Sequence, residues 1–215
     1  MRSYGARRGR LSPLTRERLA QLGPSRSVPP GPLDAVAAFG RRAPLVLEVG
    51  CGHGAAAIGY AAAHPGDDVL ALDVYQPGIA RMLAHAEAAG VRNLRAEIGD
   101  AVAFLDERVA PGQLAAVHLF FPDPWPKAKH AKRRFVGPGT LDLLASRLAA
   151  SGHVLVATDQ PAYAAYVMTQ VRAHGAFTAS ETQRPPWRPV DGFEAKALTA
   201  GRSITDLRLE RASVN

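Results

Sequence analysis

Several things are scarce in this sequence, and each scarcity excludes something. One cysteine in 215 residues cannot form an internal disulfide, and no Cys/His ladder has the spacing of a zinc site. A disulfide scaffold and a zinc finger are therefore out, and no resident metal is expected. No apolar run reaches the roughly 18 residues of a membrane span. The Arg-rich start MRSYGARRGR has no apolar segment behind it, so no secretory signal is expected either. The expectation is a cytoplasmic protein. Lysine is also rare, with four against 22 arginines. What remains is globular composition, 47% hydrophobic and 21% charged, at a length that suits one α/β domain with a self-sufficient core.

The net charge of +7 is unevenly placed. Residues 1–42 hold nine arginines and two acids, Glu17 and Asp34, whereas the remainder carries 17 basic and 17 acidic groups. The expected organisation is a basic, flexible N-terminal arm over residues 1–30 and a domain over 31–215. A cationic arm on a neutral domain suits a polyanion, whose condensed counterions it would release. A solvated tail without function is the plainer alternative.

Strand and helix patterns alternate along the domain. A short helix is expected from Pro13 to Leu22, and another near Leu33–Gly40. Strands are expected at Leu45–Val49, Val69–Val74, Leu94–Ile98, Ala116–Phe121, His153–Ala157, Ala176–Ser180 and Ser203–Arg211. Helices are expected at Ala55–Ala63, Ile79–Ala89, Ala101–Glu107, Gly139–Ala149 and Ala162–His174, with an irregular basic loop over 122–137 and a Pro-rich loop over 181–193. Repeated βα units with short apolar strands predict a mainly parallel sheet covered by helices on both faces. In such sheets the ligand sits beyond the C-terminal strand ends.

The first strand ends in Glu48-Val49-Gly50-Cys51-Gly52-His53-Gly54-Ala55. Gly50 and Gly52 allow a tight turn and close approach of a ligand. The pattern alone also fits a dinucleotide site, and Glu48 separates the two. Its carboxylate would oppose a pyrophosphate, whereas it favours the ammonium and sulfonium of S-adenosylmethionine. Asp73, ending the second strand 19 residues after Gly54, is placed for ribose hydroxyls, and Asp100, ending the third, for an adenine amino group. The competing reading makes these acids N-caps of the helices that follow. Cys51 is expected to be a small filler in the loop, and His53 and His130 to be solvated or locally satisfied.

The fourth strand runs into Phe121-Pro122-Asp123-Pro124-Trp125-Pro126-Lys127-Ala128-Lys129-His130-Ala131-Lys132-Arg133-Arg134, where three prolines stiffen the chain around Asp123 and five cations fall within eight residues. This run resembles the bacterial tRNA (guanine-N7)-methyltransferases. The Arg-rich start, LEVGCGHG, NLRAEIGDA, VATDQPAY and RPVDGFEAKALTAGRSITDLRLER resemble further segments of that family, so the likeness covers nearly the whole chain. It implies a Rossmann-like class I methyltransferase fold: seven strands, mainly parallel, with an antiparallel last strand. It implies S-adenosylmethionine as cofactor and tRNA as partner, with methylation at guanine 46 of the variable loop. It places Glu48, Gly50, Gly52, Asp73, Asp100 and Asp123 at the cofactor, with Asp123 also catalytic. Lys127, Asp159, Asp191, Gly192, Phe193 and Glu194 fall at the substrate. The family usually has Glu where Asp73 stands and Thr where Asp191 stands.

Guanine N7 carries an in-plane lone pair, so its methylation requires no proton removal. Asp123 is accordingly expected to position and stabilise rather than act as a base. Asp159 and Glu194 are expected to accept from the guanine N1–H and amino edge. Trp125 suits either stacking on a base or packing at the sheet edge. Three other readings remain open. An amino-group methyltransferase of this fold acting on rRNA, DNA or a small molecule would carry an Asn/Asp-Pro-Pro-Tyr/Phe motif after the fourth strand, which is missing here. A non-catalytic RNA-binding protein fits poorly with the intact strand-end acids, and an NAD-dependent oxidoreductase is disfavoured by Glu48. Monomer and homodimer are both compatible with the sequence.

Overall fold

The computed structural model describes residues 10–212. Seven strands form one sheet: Leu45–Val49 (β1), Asp68–Asp73 (β2), Leu94–Ile98 (β3), Leu114–Phe120 (β4), Leu148–Thr158 (β5), Phe177–Glu181 (β6) and Thr205–Arg211 (β7). Their order is β3-β2-β1-β4-β5-β7-β6. The pairs β1–β2, β2–β3, β1–β4 and β4–β5 are parallel, and β7 runs antiparallel to both β5 and β6. The mainly parallel sheet with an antiparallel last strand is as expected, and that strand slots between β5 and β6 instead of closing the edge.

Parallel strands shielded on both faces must be apolar on both, and β1 is buried at all five positions. The helices are Pro13–Arg26 (α1), Ala35–Phe39 (α2), Ala55–Ala63 (α3), Gln76–Ala88 (α4), Ala101–Glu107 (α5), Pro138–Arg147 (α6), Pro161–His174 (α7) and Gly192–Thr199 (α8). Alternate strand residues feed two cores. Leu47, Leu70, Leu72 and Val117 meet Leu105 of α5, Leu144 of α6 and Val167 of α7 on one face. Val69 and Ala71 meet Ala57 of α3 with Ile79 and Met82 of α4 on the other. The chain therefore leaves β1 toward one face through α3, and leaves β4 toward the opposite face through α6. That divergence opens a crevice at the C-terminal ends of β1 and β4.

Three segments differ from the sequence expectation. β5 begins at Leu148, because a register shift in β4 between Leu114 and Ala116 lets Leu148 pair with Leu114; α6 accordingly stops at Arg147. α8 occupies a stretch expected as loop and connection. Its signal was present: Asp191 followed three residues later by Glu194 is a helix-start pattern, masked by Gly192 and the prolines before it. The third difference is the arm. Residues 1–9 lie outside the described residues, but α1 is a docked element, capped by Ser12, which accepts from the Thr15 N–H at 3.1 Å. Leu19 and Leu22 pack on the second core. Arg26 is buried, its Nη1 donating to the Val91 carbonyl at 2.6 Å and its Nη2 paired with Glu87 at 2.5 Å.

Because Arg26 ties α1 to α4, Arg26→Ala leaves the Val91 carbonyl without its donor and removes the ion pair. The expected loss is about 1–3 kcal/mol in urea unfolding, with cofactor affinity unchanged, since no α1 residue lines the cleft. Wild-type stability in this variant would mean that α1 is not held by this contact.

Candidate active site

A cleft of about 870 Å³ lies at the C-terminal ends of β1, β2 and β4. Its floor is the β1–α3 loop, from Glu48 to Ala56. Two close approaches fix that loop. Gly54 takes a left-handed φ of 76°, and a Cβ there would run into the Met82 side chain; a Cβ at Gly78 would run into the Gly52 carbonyl. Asp73 holds the same loop, its Oδ2 accepting from the Gly52 N–H at 2.7 Å and its Oδ1 from the Tyr75 N–H at 2.8 Å. Both Asp73 and Tyr75 line the cleft.

Glu48 is buried at the foot of the cleft, and its Oε2 has no donor among the described residues. Burial pushes its carboxyl up to about 8, Asp73 adds to the rise, and the Arg188 guanidinium opposes it. A buried carboxyl without a partner is costly for the protein alone, and a cationic ligand carrying N–H donors supplies what it lacks. Asp100 caps α5, with Oδ1 accepting from Val102 and Ala103 at 3.0 Å each, which is the N-cap alternative. Its Oδ2 is buried without a donor, and Asp100 does not itself line the cleft, although its chain neighbours Gly99 and Ala101 do. Cys51 is a buried filler whose thiol burial raises well above its ordinary range. His53 is exposed at the cleft, its ring 6.1 Å from that of Tyr75.

The opposite wall comes from the chain after β4. Phe121 and Trp125 both adopt positive φ, 49° and 41°, conformations that cost non-glycine residues energy and that bracket Asp123. Asp123 is exposed and lines the cleft. Arg134 braces this loop from its far end, Nε donating to the Pro124 carbonyl at 3.0 Å and Nη2 to the Trp125 carbonyl at 3.2 Å. Trp125 is half-buried, with Arg133 over its ring at 4.8 Å and His130 at 5.6 Å. Its ring is thus engaged within the protein. Lys127 is exposed and does not line the cleft.

The third wall is Arg188–Lys196. Exposed Asp191 caps α8 through the Gly192 N–H at 2.7 Å, and Phe193, 67% exposed, projects at the cleft. Glu194 departs from its expected availability. It is buried, and its oxygens accept from Arg184 Nε at 2.5 Å and Arg188 Nε at 3.0 Å. Arg188 pairs with Glu194 and with Asp206. Asp159 ends β5 outside the cleft wall, its Oδ2 accepting from Arg202 Nε at 2.8 Å and Gln160 Nε2 at 3.1 Å. The sequence reading missed Arg133, Arg134, Tyr75 and Asp206. Only Arg133 and Arg134 carried a signal, as part of the basic run.

The crevice at the strand switch point, the glycine loop with a buried carboxyl and the acid ending β2 define a Rossmann-like methyltransferase. Solved structures agree on the fold. The 16S rRNA methyltransferase KamB superposes with a TM-score of 0.59 at 14% identity, covering 87% of this chain and 99% of that one. A 30S ribosomal A1408 methyltransferase from an uncultured bacterium gives 0.60 at 11% identity, covering 82% and 92%. A family model described as "Putative methyltransferase" matches residues 42–207. The tRNA (guanine-N(7)-)-methyltransferase of Bordetella pertussis is 40% identical over 99% of this chain and 85% of its own length. The enzyme of the same name from Aeromonas hydrophila is 37% identical over 99% and 93%. The chain belongs to the tRNA (guanine-N7)-methyltransferase family.

S-adenosylmethionine is the cofactor, and the residues present fit it: the unpartnered Glu48 Oε2 suits a cationic ammonium, and the spare Asp100 Oδ2 suits a further donor. Among the described residues, no group of three or more His, Cys, Asp or Glu is placed to hold a metal ion, and no helix is long and apolar enough to cross a membrane.

The sign of the Glu48 effect follows from its raised pKa. Folding favours the protonated carboxyl, so this contribution to the cofactor-free protein is full below 4.5 and lost as pH rises through about 8. A cationic ligand favours the ionised form, so binding below pH 8 releases a proton and strengthens as pH rises. Glu48→Gln should weaken S-adenosylmethionine binding by about 1–3 kcal/mol, while raising the Tm of the cofactor-free protein at pH 8. Calorimetric titrations in buffers of different ionisation heat count the proton. PH-independent affinity with no proton release at pH 7 would refute this account of Glu48.

Proposed function

We propose that this chain transfers the methyl group of S-adenosylmethionine to N7 of a guanine in tRNA, at position 46 of the variable loop, in the cytoplasm. The observation that carries the reading is the meeting, in one cleft, of an unpartnered buried carboxyl suited to a cationic cofactor with an exposed acid on a braced, strained loop. Glu48 at the floor and Asp123 at the wall line the same cleft of about 870 Å³, which the exposed Phe193 also lines.

S-adenosylmethionine supplies an electrophilic methyl on a sulfonium. With it bound, the N7 lone pair would take that methyl and the positive charge would pass to the purine. No proton needs to leave, so the protein's task is alignment, worth about 7–11 kcal/mol at best, and a field suited to the moving charge. Asp123 supplies that field and fixes the approach; the strain at Phe121 and Trp125 and the Arg134 brace hold it in place. Gly50, Gly52, Asp73 and Asp100 bind the cofactor. Asp191 accepts from the base edge, Gly192 and Phe193 form the wall beside the base, and exposed Lys127 holds a phosphate, whereas Asp159 is engaged by Arg202 outside the cleft wall and takes no part in reading the base. With Asp in place of the usual Thr, residue 191 can accept but not donate.

Incubation with labelled S-adenosylmethionine and unmodified tRNA, followed by cleavage at 7-methylguanine, should place the label at position 46. Asp123→Ala should remain folded and lose at least about tenfold in single-turnover rate, the scale of a lost alignment or charge contact. An unchanged rate would reduce Asp123 to a turn residue.

The arginines of the arm, Arg2, Arg7, Arg8 and Arg10, are proposed to contact phosphate. Deleting residues 1–10 should weaken tRNA binding and flatten its dependence on salt, the mark of fewer counterions released. An unaltered log–log salt slope in filter binding would exclude the arm from the RNA.

A further inference from the structure

The segment between β6 and α8 returns across the sheet as a strap anchored at two adjacent residues. Trp187 enters an aromatic nest: its ring stacks on His118 at 5.1 Å and 20°, and meets Tyr60 at 4.9 Å and 85°. Its carbonyl lies so close to Gly59 of α3 that a Cβ there would overlap it. Arg188 is 2% exposed, yet its guanidinium is well satisfied. Nε and Nη2 donate to Glu194 at 3.0 and 3.3 Å, and Nη1 and Nη2 to Asp206 at 2.5 and 3.0 Å. The same group lies over the rings of Phe120, at 4.9 Å, and Phe121, at 5.8 Å. Arg184 reinforces the set, with Nε on Glu194 and Nη2 on the Arg188 carbonyl. One cation therefore joins α8 through Glu194, β7 through Asp206, and the end of β4 that leads into the Asp123 loop.

Only a planar guanidinium presents enough donors, in a fixed fork, to serve two carboxylates at once. A buried cation needs both, because an unpaired charge in the interior is strongly destabilising. Glu194 cannot easily turn toward a base, since doing so would leave Arg188 and Arg184 short of an acceptor in a nearly dry site. We propose that Arg188 is the positioning residue of the substrate-facing wall, and that Glu194 and Asp206 support methyl transfer through Arg188 rather than by touching the guanine. The inference deepens the functional reading above and rests on it. Two walls of the cleft, the α8 wall with Phe193 and the β4 loop with Asp123, then keep their separation through one side chain.

The test uses Arg188→Lys, Asp206→Asn, Glu194→Gln and the double variant of the last two, each assayed for cofactor affinity and for tRNA methylation with guanine or inosine at the target position. Asp206 does not line the cleft, and the nearly isosteric Asp206→Asn leaves Arg188 the Glu194 carboxylate and one amide acceptor, so it perturbs the fold less than Arg188→Lys; urea unfolding checks that each variant is folded before its kinetics are compared. Arg188→Lys and Asp206→Asn should lower kcat at least about fivefold, with the KM for tRNA and the cofactor affinity within about threefold of wild type, because alignment is lost and phosphate contacts are not. The double variant should fall no more than about threefold below the worse single one, since the two acids act through one partner. Inosine lacks the 2-amino group. Its penalty should be the same in Glu194→Gln as in wild type. A wild-type kcat in Asp206→Asn, or a Glu194→Gln variant that no longer separates guanine from inosine, overturns the proposal. A wild-type protein that leaves tRNA unmethylated overturns the functional reading, and this inference with it.

Discussion

Everything at the site depends on the divergence of the chain after β1 and β4. These strands are hydrogen-bonded neighbours, yet α3 covers one face and α6 the other. No helix can fill the gap between them, so the backbone at the strand ends is left open to a ligand. The apolar strands are what make this arrangement stable, since a parallel sheet must be covered on both sides. The glycine loop and the proline-rich loop are then the two lips of a crevice that the topology has already placed.

Within that crevice the protein treats its buried charges in two opposite ways. Burial by itself would lower the pKa of Arg188, but the hydrogen bonds it donates to the carboxylates of Asp206 and Glu194 outweigh that and raise it. Glu48, on the same side of the sheet, is left with an unmatched oxygen and a carboxyl pushed up to about 8. The satisfied ion fixes architecture, whereas the unsatisfied one is a standing demand for a cationic ligand. His118, the register partner of Glu48 on β4, stays neutral between them: burial lowers its pKa to about 3, so it adds no competing positive charge. Strain follows the same division. The positive φ values fall at Phe121 and Trp125, beside Asp123, where a rigid displacement is useful, while the described strands remain regular apart from the shift in β4.

Much of the fold was legible because its signals are local. β1, β3, α3 and α5 have the expected limits, since apolar runs and helix periodicity were bounded by glycine or by a capping acid. α8 was not read because its start signal lay inside a stretch that prolines and glycine mark as loop. The reach of α1 to Arg26 was also hidden, as the helix passes through Pro24 and is held by contacts with Val91 and Glu87, distant in sequence.

The sequence by itself determined the class of fold, the place of the crevice and the identity of the acids at the strand ends, because strand hydrophobicity, glycine spacing and the Pro-Asp-Pro-Trp run need no partner to be recognised. What each carboxylate does was decided only in three dimensions. Asp73 ties down the glycine loop, Asp100 caps α5 with one oxygen and leaves the other buried without a donor, and Glu194 is taken up by two arginines. A carboxylate's role is set by which donors reach it and how much water remains. Those donors came from residues such as Arg188, whose burial no local pattern announces.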